Sequence, residues 1–437
     1  MGGYIKIGGQ RAHSSLRCAR WRVTDLLGFT MFLTAILAVV HLVRPQYQPR
    51  ASPNRFGPLK FTPSGTFQIS IFSDLHFGEN AWTSWGPQQD LNSVKVIESI
   101  LSSEPDIDLV VLNGDLITGE NTYLSNASHY TDQIVAPLVD RNLTWASTYG
   151  NHDSSYNLSR AGILAREQRY ANARTKSMVD GDVGVSNYYF PVYGADCDDG
   201  DICAPELLLW FFDSRGGFKF RERDKEGKRV GLPDWVDGKV VDWWKSTNEG
   251  IVNDTGRVVP SLAFVHIPTN ASRAFQDEGV DPNKQPGIDA DVPVAMQGQG
   301  WCEDGVDDGT CDYGGQDVPF MEAVAGMKGL MAVFSGHDHG NTWCVRWDRA
   351  FSGMDVKGSG VNLCFGQHSG YGGYGTWIRG ARQVVVSKDM LGDGAVDTYI
   401  RLESGKIVGE ITLNSTYGID EYPATPDDRT FCPTCKH

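Results

Sequence analysis

The chain has 437 residues, 41% of them hydrophobic and 11% aromatic, enough apolar material to bury a core in one large domain or two ordinary ones, which excludes a disordered protein. Its formal charge of -15 is uneven: the first 50 residues carry seven Lys and Arg against one acid, so the remainder is strongly acidic. An acidic body excludes nucleic acid as the main partner, because phosphate backbones are bound through clustered cations.

In chain order, a basic tail (1–25) precedes residues 26–43, LLGFTMFLTAILAVVHLV, which hold no charge. As a helix this stretch spans roughly 27 Å, close to a bilayer core. Lys6, Arg11, Arg17, Arg20 and Arg22 lie before it, so the positive-inside rule predicts a single-pass type II signal anchor, with the rest of the chain lumenal or extracellular. A cleaved signal peptide with secretion is the alternative. Six sequons follow the apolar stretch, at Asn126, Asn142, Asn157, Asn253, Asn270 and Asn414, and predict N-linked glycans. Eight of nine cysteines also follow it, an even number suited to an oxidising compartment. Close spacing suggests the pairs Cys197/Cys203, Cys302/Cys311, Cys344/Cys364 and Cys432/Cys435, although sequence alone does not fix the pairing.

Residues 44–65 read as a Pro- and Gly-rich linker, 66–420 as the folded domain, and 421–437 as a tail with Cys432 and Cys435. Strands are predicted at 66–73, 106–113, 142–150, 186–193, 206–214, 261–267, 329–336 and 381–388, and helices at 93–103, 129–141, 159–177 and 318–328. This alternation predicts an α/β fold. The polar stretches 216–232 and 273–316 read as loops or insertions, and the acidic segment 301–315 does not match calcium-loop spacing.

Five predicted strands end in polar residues: Asp74 and His76 after ISIFS, Asp115 after LVVLNG, Asn151, His152 and Asp153 after WASTYG, His266 after SLAFV, and His337 and His339 after LMAVFSG. Each motif alone is satisfied by a turn or a helix cap. Together they occupy the place where α/β proteins gather ligands. Carboxylate, imidazole and amide oxygens without thiolate suit Zn, Fe or Mn.

DLH, GDLITG, GNHD, a later lone His and GHDH resemble the calcineurin-like metallophosphoesterase superfamily, and DLHFGEN, NGDLITGEN and YGNHD resemble its purple-acid-phosphatase-like branch. The resemblance implies a four-layer α/β/β/α sandwich, two mixed β-sheets flanked by helices. It also implies two metal ions: one held by Asp74, His76 and His339, with Asp115 bridging to a second held by Asn151, His266 and His337. A hydroxide between the ions would attack a phosphate ester in line, His152 would assist at the phosphate or leaving group, and Asp153 would either orient His152 or serve as a plain helix cap. Phosphomonoester hydrolysis is the first expectation. A phosphodiesterase acting on a phospholipid head group or nucleotide, and a non-catalytic binding glycoprotein, are the alternatives. Thr118 stands where purple members have tyrosine, so a purple enzyme is not implied. Arg215 is read as an ion-pair residue rather than a phosphate ligand, the Trp235, Trp243 and Trp244 cluster mainly as helix packing, and GYGGYGTW (370–377) as a turn-rich segment lining the cleft.

Overall fold

The computed structural model describes residues 57–198, 203–302 and 307–430. The predicted tail, the span at 26–43 and Cys432 and Cys435 lie outside these residues. Among the described residues, no helix is long and apolar enough to cross a membrane.

The run Leu207–Phe212, LLLWFF, shows how the layers are built. All six side chains are buried, and they alternate between two cores. Leu207, Leu209 and Phe211 point into one, Leu208, Trp210 and Phe212 into another. A strand that is apolar on both faces belongs inside a stack, with a sheet on one side and helices on the other.

The central core joins Phe67, Ile69, Ile71, Leu109 and Val111 of one sheet to Tyr188, Phe211, Leu262, Phe264 and Phe334 of the other. The first sheet orders its six strands Ile407–Leu413, Val396–Leu402, Gly380–Ser387, Thr66–Phe72, Leu109–Asn113 and Trp145–Thr148. The second has seven: Leu59–Lys60, Tyr188–Tyr193, Leu207–Phe212, Ser261–Val265, Leu330–Ser335, Val361–Phe365 and Cys344–Trp347. Both mix parallel and antiparallel pairs. The helices Gly86–Ser103, Tyr130–Asp140 and Arg160–Glu167 cover the outer face of the first sheet with Ile97, Ile100, Ile134, Leu138 and Ile163. The helices Gly238–Thr255, Asn270–Glu278 and Val318–Gly326 cover the second with Val240, Trp244, Phe275 and Phe320. The result is the four-layer α/β/β/α sandwich.

The disulfides Cys197–Cys203, Cys302–Cys311 and Cys344–Cys364 form as spacing suggested. Some elements differ from expectation. The helix expected over 159–177 spans only Arg160–Glu167, because residues 172–174 give their backbone groups to the edge strand: the Trp145 N–H donates to Asn172 O and the Arg174 N–H to Trp145 O. The stretch 216–232 carries a hairpin, Phe218–Arg223 with Arg229–Gly231, too exposed on both faces to show an apolar period. The helix Asn270–Glu278 and the short pair Gly300–Trp301 and Asp307–Cys311 occupy part of the expected loop 273–316. Ordered contacts also pass the expected domain bounds, with Leu59–Lys60 pairing beside Val192 and Tyr193 and the Thr430 N–H donating to Thr376 O.

Candidate metal centre

The strands Thr66–Phe72, Leu109–Asn113 and Trp145–Thr148 run parallel and adjacent in the first sheet, as do Ser261–Val265 and Leu330–Ser335 in the second. Their carboxyl ends face one seam, where the five predicted motifs meet. The first two loops stay zipped past their strands: the Asp74 N–H donates to Gly114 O at 3.1 Å, and the His76 N–H to Asp115 O at 2.9 Å. Asp74, His76, Asp115 and His337 adopt left-handed backbone with φ of 57°, 49°, 49° and 76°. Each such residue costs about 1–3 kcal/mol and persists where its surroundings over-determine it. Gly150 is required by close approach, since a Cβ there would lie 2.3 Å from Asp115 Oδ1.

Two groups of side chains present converging ligand atoms, Asp74/His76/His339 and Asp115/His266/His337, each within 4.8 Å. Asp115 Oδ2 lies 3.0 Å from His266 Nε2 and 3.8 Å from His76 Nε2, and so stands between the groups. Asn151 Oδ1 is buried without a hydrogen-bond partner. His266 Nδ1 sits 2.9 Å from Asn113 O and His339 Nδ1 2.8 Å from Tyr374 O, so each must donate there. In the neutral ring that leaves the Nε2 lone pairs pointing at Asp115 and at His76 Nε2, the latter 3.2 Å away. Lone pairs that converge with carboxylates need a positive charge between them, a proton or a metal ion. The donor set of these two groups therefore fits two ions.

The electrostatics agree with this arrangement. Burial lowers His76 to about 4 and His337 to about 3, and holds His339 well below its usual range, leaving three neutral imidazoles in the ligand form. For His266, burial is outweighed by Asp115 and Asp74, which raise it to about 9. Burial raises Asp74 to about 7, whereas Asp115 is held well below its usual range because His266 and His152 outweigh its burial.

His152 lines the cleft, and its Nδ1–H donates to Glu120 Oε1 at 2.5 Å. Burial is outweighed at this ring by Asp115, Glu120 and Asp153, which raise it to about 10. The expectation that Asp153 orients His152 is corrected. Asp153 Oδ1 accepts the Leu116 and Ile117 N–H groups, both at 2.9 Å, and Oδ2 accepts the Gly150 N–H at 2.8 Å. With these backbone donors filling its acceptors, Asp153 ties the Asp115 loop to the Asn151 loop, and Glu120 is the carboxylate on His152.

Glu120 lies in NGDLITGEN, but nothing in its spacing marked it as a partner for a histidine four residues beyond the end of the next strand. Tyr374 and His368 were also missed. Tyr374 stacks on His339 at 4.0 Å and 12°, and the buried His368 ring lies 3.9 Å from His339, tilted by 37°. Thr118 Oγ1 stands 3.1 Å from His76 Nδ1, so the position that holds tyrosine in purple members here supports a histidine. Arg215 is committed elsewhere, pairing with Asp237 at 3.1 Å and donating to Trp235 O at 2.9 Å. Trp244 is buried against Trp210 and Phe320. The cleft over the site has a volume of about 850 Å³ and is walled on one side by Tyr371–Thr376 of the glycine-rich segment.

The sequence model described as Calcineurin-like phosphoesterase matches residues 67–341, well over half of the chain. Among curated relatives, the chain is 26% identical over 392 residues to "Probable inactive purple acid phosphatase 28" of Arabidopsis thaliana, covering 83% of this chain and 85% of that one. It is 25% identical over 301 residues to "Phosphatase DCR2" of Saccharomyces cerevisiae, covering 66% of this chain and 47% of that one. A solved structure of a dimetal phosphatase from Danio rerio is similar at a TM-score of 0.46 and 14% identity, over 80% of this chain and 98% of that one. With the matched segment reaching from the strand before Asp74 to just past His339, the chain belongs to the calcineurin-like phosphoesterase family.

Proposed function

We propose that this protein hydrolyses phosphomonoesters at two ions of the Zn, Fe or Mn type, one held by Asp74, His76 and His339, the other by Asn151, His266 and His337, with Asp115 shared. The observation that carries this reading is the position of Asp115 Oδ2 between the two groups, together with the unpartnered Asn151 Oδ1. When bound, the ions supply Lewis acidity and a nucleophile made from water near neutral pH. The chain's own residues position the ester. Asp153 and the left-handed turns fix the two loops, the Asn113 and Tyr374 carbonyls hold His266 and His339 in one tautomer, and Thr118 supports His76. Glu120 holds His152 by Nδ1, leaving the opposite ring edge to meet a phosphate oxygen or to protonate the leaving oxygen.

A second reading is a phosphate-ester binder without turnover, favoured by the similarity to the "Probable inactive purple acid phosphatase 28" of Arabidopsis thaliana. One experiment separates the readings: metal analysis of the purified full-length chain, with hydrolysis of p-nitrophenyl phosphate and its bis-ester. About two metals per chain and faster monoester cleavage support the proposal. Faster diester cleavage supports a phosphodiesterase, and two metals without turnover support the binding reading. Fewer than one metal per chain sinks all three.

The type II topology with N-glycans belongs to the same proposal. Asn142 and Asn253 are exposed, whereas Asn157 commits its amide to Thr122 O at 2.9 Å. Glycosidase-sensitive mass confined to exposed sequons supports a lumenal domain, and an unglycosylated chain from a secretory host counts against it.

A further inference from the structure

The hairpin Phe218–Gly231 has no role in the metal centre, yet it is built against it. Its base packs on the segment that follows the Asn151 loop: the Phe218 N–H donates to Ser154 O at 3.0 Å, the Ser154 hydroxyl donates to Phe218 O at 3.0 Å, and the Arg221 N–H donates to Tyr156 O at 3.2 Å. Approach at the base is so close that a Cβ on Gly217 would lie 2.1 Å from Asn151 O. Beyond the base the strand Phe218–Arg223 is largely exposed.

Its composition opposes that of the body. In a chain of net charge -15, residues 218–231 carry six cations, Lys219, Arg221, Arg223, Lys225, Lys228 and Arg229, against Glu222, Asp224 and Glu226. The acids do not neutralise the arm. Asp224 Oδ1 accepts the Lys228 backbone N–H at 2.7 Å, and Glu222 meets Lys219 at 3.9 Å. Among the described residues, Arg221, Arg223, Lys225 and Lys228 form no ion pair with any carboxylate. The guanidinium groups are propped by aromatic rings: Arg223 and Arg221 over Tyr156 at 4.3 and 5.0 Å, and Arg229 over Phe218 at 3.9 Å. Such stacking lowers the entropy cost of ordering a long side chain, and it leaves N–H groups available beyond the one that Arg223 donates to Gly227 O at 2.6 Å and the one that Arg229 donates to Ser155 Oγ at 3.4 Å. Arg229 also borders a pocket of about 210 Å³ lined by Asn151, His152 and His337.

We infer that this hairpin is a substrate-recognition arm: it grips a second phosphate on an ester whose first phosphate lies at the metal centre, with Arg229 nearest the site and Lys225 and Lys228 farther along. The inference rests on the phosphate-ester reading of the centre and narrows it to substrates bearing more than one phosphate. Guanidinium groups suit phosphate because their donor fork matches its oxygens.

The test uses the metal-loaded full-length chain and two probes whose carbon–phosphorus bonds resist hydrolysis, propylphosphonate and propane-1,3-bisphosphonate. Calorimetric titration at low salt should show the wild type binding the bisphosphonate about tenfold more tightly, with the preference shrinking as salt shortens the Debye length. Lys225→Gln/Lys228→Gln/Arg229→Gln should bring the two probes within about twofold, and the exposed Lys228→Glu alone should reduce the preference in the same direction. A wild type without preference, or a triple variant that keeps it, overturns the inference. A hairpin-dependent preference in a chain that cleaves no aryl phosphate would sustain the arm while removing the hydrolase reading.

Discussion

Replacing Asp115 by asparagine separates metal binding from folding, because the two oxygens of this carboxylate have different neighbours. Oδ1 accepts the His152 backbone N–H at 2.8 Å, and Oδ2 faces His266 Nε2 at 3.0 Å. An asparagine with its oxygen at the Oδ1 position keeps the first bond. Its NH2 then donates to the lone pair that His266 carries when Nδ1–H is engaged by Asn113. In the metal-free fold His266 must then give up the proton that Asp115 and Asp74 hold on it, and His152 loses part of its counter-charge, so the variant should be destabilised by about 1–3 kcal/mol. The same NH2 would point where both groups need an anionic oxygen. Changing a residue behind a ligand typically costs 10–100-fold in metal affinity, so the loss of a shared ligand should cost about 100-fold or more at each ion. At a metal concentration of about 100 Kd the wild type gains about 2.7 kcal/mol per ion, and the variant should lose nearly all of it. Metal analysis and urea unfolding, with and without chelator, read both quantities. A variant that still holds two ions per chain would refute the shared-ligand geometry.

His152→Ala should leave metal content near two per chain and lower turnover by roughly 100-fold, the scale of lost acid catalysis. Glu120→Gln, which keeps a hydrogen bond to Nδ1 but not its charge, should fall between that variant and the wild type; loss of metal in either would overturn the assigned roles. Burial pushes Asp90 up to about 7, with Glu79 adding to it, from 3.8 in the unfolded chain. The folded state therefore binds the proton more tightly, and this carboxyl makes stability fall as pH rises from 3.8 to about 7. Asp90→Asn should remove that slope and stabilise the neutral protein by about 1–3 kcal/mol in urea titrations at several pH values; an unchanged slope would contradict it. Cys344→Ser/Cys364→Ser opens a link across 20 residues of sequence between paired strands. It should cost about 3 kcal/mol by chain entropy, and a variant as stable as the wild type would show that the strands carry no such dependence.

Much of the fold was legible because burial on both faces leaves continuous apolar runs, as at Leu207–Phe212 and Leu330–Ser335. The exposed hairpin Phe218–Gly231 was not, since a strand without a buried face has no period to read. The strands Val396–Leu402 and Ile407–Leu413 were missed, although the first alternates buried and half-buried residues down its length.

At the site, sequence alone determined the chemical set. Asp, Asn and His at five strand ends are a local property of the chain, and parallel pairing carries strand ends to one edge whatever else the protein does. Only the tertiary structure decided which carboxylate serves which partner. Asp153 adjoins His152 in sequence, yet three backbone amides hold it between two loops, while Glu120 crosses from the neighbouring loop to the imidazole. Hydrogen-bond direction and loop packing set those pairings, and neither is encoded in spacing along one strand end.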